Sequence, residues 1–162
     1  MRISIKKKGR RHQLSCQRPD GTSVVYDLGP NLPHHDLAHF VVEHGFGLAQ
    51  GFFGNIASGY TPEQLSDKEI IGRLGPESAA AEILARALQS LSSGACSPEQ
   101  FEELVNTELA QWSIPAIRVT PQALDTMRAD FKKLTNQYAA LNDSESMELE
   151  LTLGGPTREL RR

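Results

Sequence analysis

Met147-Glu148-Leu149-Glu150-Leu151-Thr152-Leu153 alternates apolar and polar side chains without interruption. Successive side chains of a strand point to opposite faces, so the segment reads as a half-buried β-strand. It decides the fold because the other strand signals lie at the opposite end of the chain. Ile3 and Ile5 alternate with polar neighbours, and His12 to Gln17 is a second candidate strand. After the turn signal Asp20-Gly21 the chain returns as Thr22-Ser23-Val24-Val25-Tyr26-Asp27-Leu28. The expected architecture is α+β. An N-terminal β-hairpin pairs with the C-terminal strand and packs on four to five helices, in a single domain over residues 1–162 whose tail from Gly154 is loose.

Helix signals fill the interval between the strands. Asn31 is placed to cap a first helix, with Pro33 in its first turn, where a missing amide donor costs nothing. Thr61-Pro62-Glu63-Gln64, Ser97-Pro98-Glu99-Gln100 and Thr120-Pro121-Gln122 each join a hydroxyl cap to a proline at the first helical position. Glu77 to Leu91 carries Ile83, Leu84, Leu88 and Leu91 as an apolar face. Further on, Leu124, Met127, Phe131, Leu134, Tyr138 and Leu141 recur at three- and four-residue steps as a coiled-coil-like seam. That seam serves either the domain's own core or a homodimer through the 121–141 helix.

Chemistry concentrates in the first helix, at His34-His35-Asp36-Leu37-Ala38-His39-Phe40-Val41-Val42-Glu43. A helix turns about 100° per residue, so His35, His39, Glu43 and Asp36 share roughly one quadrant while Leu37, Phe40 and Val41 form the buried stripe. His34 points elsewhere, and His44 falls within the apolar stripe. Two imidazoles one turn apart can bind one divalent transition metal, with a carboxylate as third ligand. Zinc suits that donor set best. The candidate ligands are His35, His39 and Glu43, with Asp36 as the candidate catalytic group that orients a histidine or accepts a proton. Glu77, Glu82 and His12 are alternative distant ligands, among which the spacing does not choose. The following glycine- and phenylalanine-rich segment, Gly45 to Tyr60, reads as a tightly packed loop and short helix beside the histidines.

His35-Asp36-Leu37-Ala38-His39 resembles the H-E-x-x-H signature of zinc metalloproteases, with Asp in place of Glu. It is also similar to the H-D-x-x-H motif of the coenzyme Q biosynthesis zinc proteins, which are helical and associate with membranes. Those proteins place a Glu about a dozen residues after the second histidine; here that stretch reads Leu48-Ala49-Gln50-Gly51-Phe52-Phe53. The longer phrase from Leu32 to Gly54 resembles a family of small uncharacterised bacterial proteins with an H-D-x-x-H motif. The first two resemblances imply zinc, and the protease one implies that Asp36 acts on the metal-bound water.

Composition narrows the partners. A net charge of −3 over 162 residues gives no general attraction to nucleic acid. Lys6, Lys7, Lys8, Arg10 and Arg11 read as protection of an edge strand rather than as a nucleic-acid surface. Cys16 and Cys96 form no C-x-x-C pair, which predicts reduced thiols and a cytoplasmic protein. No segment supplies the roughly 20 apolar residues of a membrane span. Two functions are therefore expected to compete. One is a small metal-dependent hydrolase acting on a small molecule or peptide; the other is a non-enzymatic interaction module in which the histidines are structural.

Overall fold

Among the described residues four antiparallel strands, β1 (Arg2–Lys8), β2 (Arg11–Gln17), β3 (Ser23–Leu28) and β4 (Ser146–Glu150), form one sheet in the order β3-β2-β1-β4. The computed structural model describes residues 1–30 and 33–152, so the expected cap Asn31 and the tail from Gly154 lie outside the described residues. Between the third and fourth strands come α1 (Pro33–Phe46), α2 (Phe52–Ala57), α3 (Lys68–Ile71), α4 (Pro76–Ser93), α5 (Pro98–Gln111) and α6 (Pro121–Ala139). The expected α+β architecture is present, with the C-terminal strand paired to the N-terminal hairpin through Ile3↔Leu149 and Ile5↔Met147.

Register follows the period of two. The rungs Leu149-Ile3-Cys16-Val24 and Met147-Ile5-Leu14-Tyr26 run across all four strands and face the helices. Ser4, Gln13 and Ser15 face the other way. β1 and β2 join through a two-residue turn in which Gly9 has φ +59°, a conformation that favours glycine. The third rung carries Lys7 and His12. Lys7 Nζ donates to the Leu141 carbonyl at 2.7 Å and lies 5.8 Å from the Tyr138 ring centre, so this lysine fastens the end of α6 to the sheet.

The helical layer follows the apolar stripes. Ala38 of α1 and Ala81 and Ala85 of α4 are fully buried, and small side chains let two helix backbones approach closely. Ser97 opens α5 with both bonds of a capping box. Thr61 makes the same reciprocal bonds with Gln64, yet only a short 3-10 turn follows, because Asp67 restarts the chain by accepting from the amides of Glu69 and Ile70. Leu124, Met127, Phe131 and Leu134 are buried and Tyr138 and Leu141 half-buried, so the seam of α6 packs inside the chain, mainly on α1. No helix among the described residues is long and apolar enough to cross a membrane.

Candidate metal centre

α1 presents its histidines to α4. His35 and His39 stand one turn apart, their rings edge to face with centres 4.7 Å apart and their Nε2 atoms 3.2 Å apart. Glu82, from the middle of α4, brings Oε2 to 3.0 Å from His39 Nε2 and 3.3 Å from His35 Nε2. These three atoms form a nearly equilateral triangle. Ligand atoms held tetrahedrally at about 2.0–2.1 Å from zinc stand about 3.3–3.4 Å from one another, so the triangle has the dimensions of one face of such a site. His35, His39 and Glu82 thus form a group within metal-binding distance.

The far side of each ring is also fixed. His35 Nδ1 lies 2.9 Å from Gln89 Oε1, and His39 Nδ1 lies 3.2 Å from Glu43 Oε1. Both partners are oxygen acceptors, so a neutral imidazole at either position donates its Nδ1 hydrogen outward and keeps its Nε2 lone pair for the triangle. Gln89 follows Glu82 by seven residues on α4, which places both on the face turned to α1. Arg86, one turn after Glu82, comes within 3.5 Å of the other Glu82 oxygen and donates to Glu108 at 2.6 Å. The Glu82 carboxylate is held by two histidines on one side and a guanidinium on the other.

Charge concentrates where these groups meet. Burial works against a charged His39, but hydrogen bonds to Glu43 and Glu82 outweigh it and raise its pKa to about 9. The bond to Glu82 likewise raises His35, against burial and the neighbouring His39. Burial alone would raise Glu82; hydrogen bonds from both histidines reverse this and hold it far below the usual carboxylate range.

The remaining sequence candidates lie outside the triangle. Glu43 has no exposed side-chain surface and sits behind His39 rather than beside Nε2. Its oxygens accept from the amides of Phe53 at 3.0 Å and Gly54 at 3.2 Å in addition to His39. Asp36 is buried, and its Oδ2 has no hydrogen-bond partner among the described residues. Burial pushes its carboxyl up to about 7, against the pull of His39 and His35. Its charge helps raise the buried Cys16 thiol to about 12, although burial is the larger cause. Glu77 bonds the Ala49 amide, and His12 lies in the sheet layer with its ring edge-on to Tyr138. His34 is exposed, as its helical angle predicts. His44 is exposed too, although its angle falls within the apolar stripe, and stacks on Phe40 with ring centres 6.0 Å apart.

Spacing alone leaves Glu82 equivalent to Glu77 and His12 as a distant ligand, and it does not single out Gln89. The signal for Gln89 was its seven-residue offset from Glu82, which has meaning only once Glu82 is placed. Phe52, from the glycine- and phenylalanine-rich segment, leans on the His39 ring with centres 5.4 Å apart. Compared with protein-family models, with curated proteins and with solved structures, the chain matches none.

Proposed function

We propose that this chain binds a divalent transition metal, zinc by preference of the donor set, through His35 Nε2, His39 Nε2 and Glu82 Oε2, and that the centre serves hydrolysis of a small molecule or peptide. The observation that carries this reading is the outward commitment of both Nδ1 atoms. Two ring nitrogens and a carboxylate oxygen converge within 3.3 Å, an arrangement that only a cation or protons can hold together. A bound ion of this kind supplies a Lewis acid and an activated water at neutral pH. The Glu82 side chain is 45% exposed and that of His35 28%, so the group is not sealed from solvent.

In this reading Glu82 takes the third ligand place for which Glu43 was the local candidate. Asp36 is the candidate proton acceptor: it is buried next to His35 in the sequence, and its Oδ2 has no hydrogen-bond partner among the described residues. Asp36→Asn tests that role separately, because it should spare metal content and abolish turnover. Retained turnover would remove Asp36 from the chemistry.

A second reading has a specific observation behind it. The raised His39 and the depressed Glu82 form an ion pair without any metal, and protons could bridge the triangle as a clamp between α1 and α4. The chain would then be an interaction module with structural histidines. Metal analysis of untagged protein, followed by melting with zinc and with a chelator, separates the two. Bound metal and a chelator-sensitive melting temperature support the centre. No metal and no shift leave the clamp.

A further inference from the structure

Gly51 precedes α2 at the position where a helix normally carries a side chain that accepts from its first free amides. Glycine cannot do this. The acceptor is supplied from another helix: Glu43 of α1 takes the amides of Phe53 and Gly54, the second and third residues of α2, with Oε2 at 3.0 and 3.2 Å. Its Oε1 takes His39 Nδ1 at 3.2 Å. One fully buried carboxylate therefore spans a metal-centre histidine and the start of α2, and among the described residues all its donors belong to those two groups.

The turn is shaped around that carboxylate. A Cβ on Gly51 would overlap the Glu43 carboxyl carbon, and a Cβ on Gly54 would overlap the Ala49 carbonyl. Gly51 has an ordinary φ of −73°, so space and not backbone conformation excludes a side chain there. The turn then returns Phe52 to the His39 ring and stacks Phe52 edge-on against Phe53 at 5.1 Å. His39 is gripped twice by one segment, through Glu43 at its Nδ1 and through Phe52 at its ring.

We propose that Glu43 is a positioning residue of the metal centre, tying the ligating orientation of His39 to the backbone of Phe53 and Gly54, so that metal binding and the order of the Gly51–Gly54 turn form one equilibrium. The proposal rests on reading the His35, His39 and Glu82 triangle as a metal centre. Binding that orders a segment and a segment whose order favours binding are two statements of one coupling free energy. The turn consequently acts on affinity although it contributes no ligand.

The test has one arm that needs no variant. Amide exchange at Phe53 and Gly54 should slow in the wild-type protein when zinc is added, while exchange in the core of α5 stays constant. Glu43→Gln and Gly51→Ala should each weaken zinc binding by about 10- to 100-fold, the usual effect of disturbing a group that orients a ligand, and should uncouple exchange at Phe53 and Gly54 from zinc. Both should also alter the visible spectrum of the cobalt-substituted protein. Ser58→Ala, which removes a bond to the Gly54 carbonyl at the other end of α2, controls for general loosening and should leave the spectrum unchanged. Zinc binding with unaltered affinity in Gly51→Ala, or wild-type exchange at Phe53 and Gly54 indifferent to zinc, overturns the coupling and leaves the metal centre standing. Failure of the wild-type protein to bind zinc or cobalt overturns the metal centre itself.

Discussion

Glu82 and His39 meet at 3.0 Å across 43 residues of sequence, one from the middle of α4 and the other from the middle of α1. The contact makes the packing of these two helices and the geometry of the triangle the same fact, since neither side chain reaches the other unless α1 and α4 pack side by side.

Removing that carboxylate should remove the metal. Glu82→Ala is expected to lower zinc affinity by about 100-fold or more, above the range for groups that merely orient a ligand. Glu77→Ala, five residues earlier on α4, should leave affinity unchanged while losing about 1 kcal/mol of stability with its bond to Ala49. Chelator competition on both variants checks this, and equal losses would mean that α4 is rotated from the orientation described.

Protons and metal compete for one triangle. In metal-free protein His39 keeps its proton up to about pH 9, so zinc affinity should rise between pH 6 and pH 9, by up to tenfold per pH unit for each proton displaced. Calorimetry in buffers of different ionisation enthalpy should detect the released protons. The stability of metal-free protein has the opposite slope. A folded pKa above the ordinary histidine value stabilises fully below about pH 6.5, and that stabilisation is lost as pH rises to about 9, at up to about 1.4 kcal/mol per pH unit. Melting of the metal-free protein at pH 6.5 and pH 9 measures it.

Asp36 should behave as a buried acid that resists ionisation. Its folded pKa, about 7, lies above the ordinary Asp value, so the wild-type protein is penalised as pH rises between about 4 and 7. Asp36→Asn escapes the penalty. The variant should therefore match wild type near pH 4 and exceed it by a few kcal/mol at pH 8, as denaturant titrations of the metal-free proteins would show. A variant less stable than wild type at pH 8 would mean that the Asp36 carboxylate has a partner when ionised.

Phe131 is 4% exposed in the seam of α6. Phe131→Ala should lower stability by about 3–5 kcal/mol through the lost transfer free energy and the cavity left behind. Urea unfolding at two protein concentrations checks this. A loss that grows with concentration would instead point to a seam shared between two chains.

The sheet was legible because alternation is local: Ile3, Ile5, Met147 and Leu149 declare their face without reference to anything distant. The histidine pair was legible for the same reason, since a four-residue step places two rings together in any helix. Glu82 was not separable from Glu77 or His12, because that choice depends on the rotation of α4 against α1, and packing between helices far apart in sequence sets it. The role of Glu43 was hidden differently. A helical wheel gives the direction in which a side chain leaves the backbone but not what it meets, and the neighbour one turn away, His39, is met at Nδ1 on the side away from the triangle. At Thr61 the local signal was real and its bonds formed, but Asp67 offered the backbone a competing start.

The pairing of β1 with β4 also bears on how the chain folds. Arg2↔Glu150 and Lys6↔Ser146 close the longest loops in the molecule, whereas β1, β2 and β3 need only two short turns to find one another. Closing a long loop costs entropy before any contact returns it, so the three-stranded meander can form early and must wait for its fourth member. Until then the hydrogen-bonding edge of β1 is bare along a strand carrying Ile3 and Ile5, and a bare edge is a template for pairing with other chains. Refolding yield should therefore fall with protein concentration more steeply in a chain shortened before Ser146 than in the full chain, which makes the C-terminal strand a guard against aggregation as well as a part of the core.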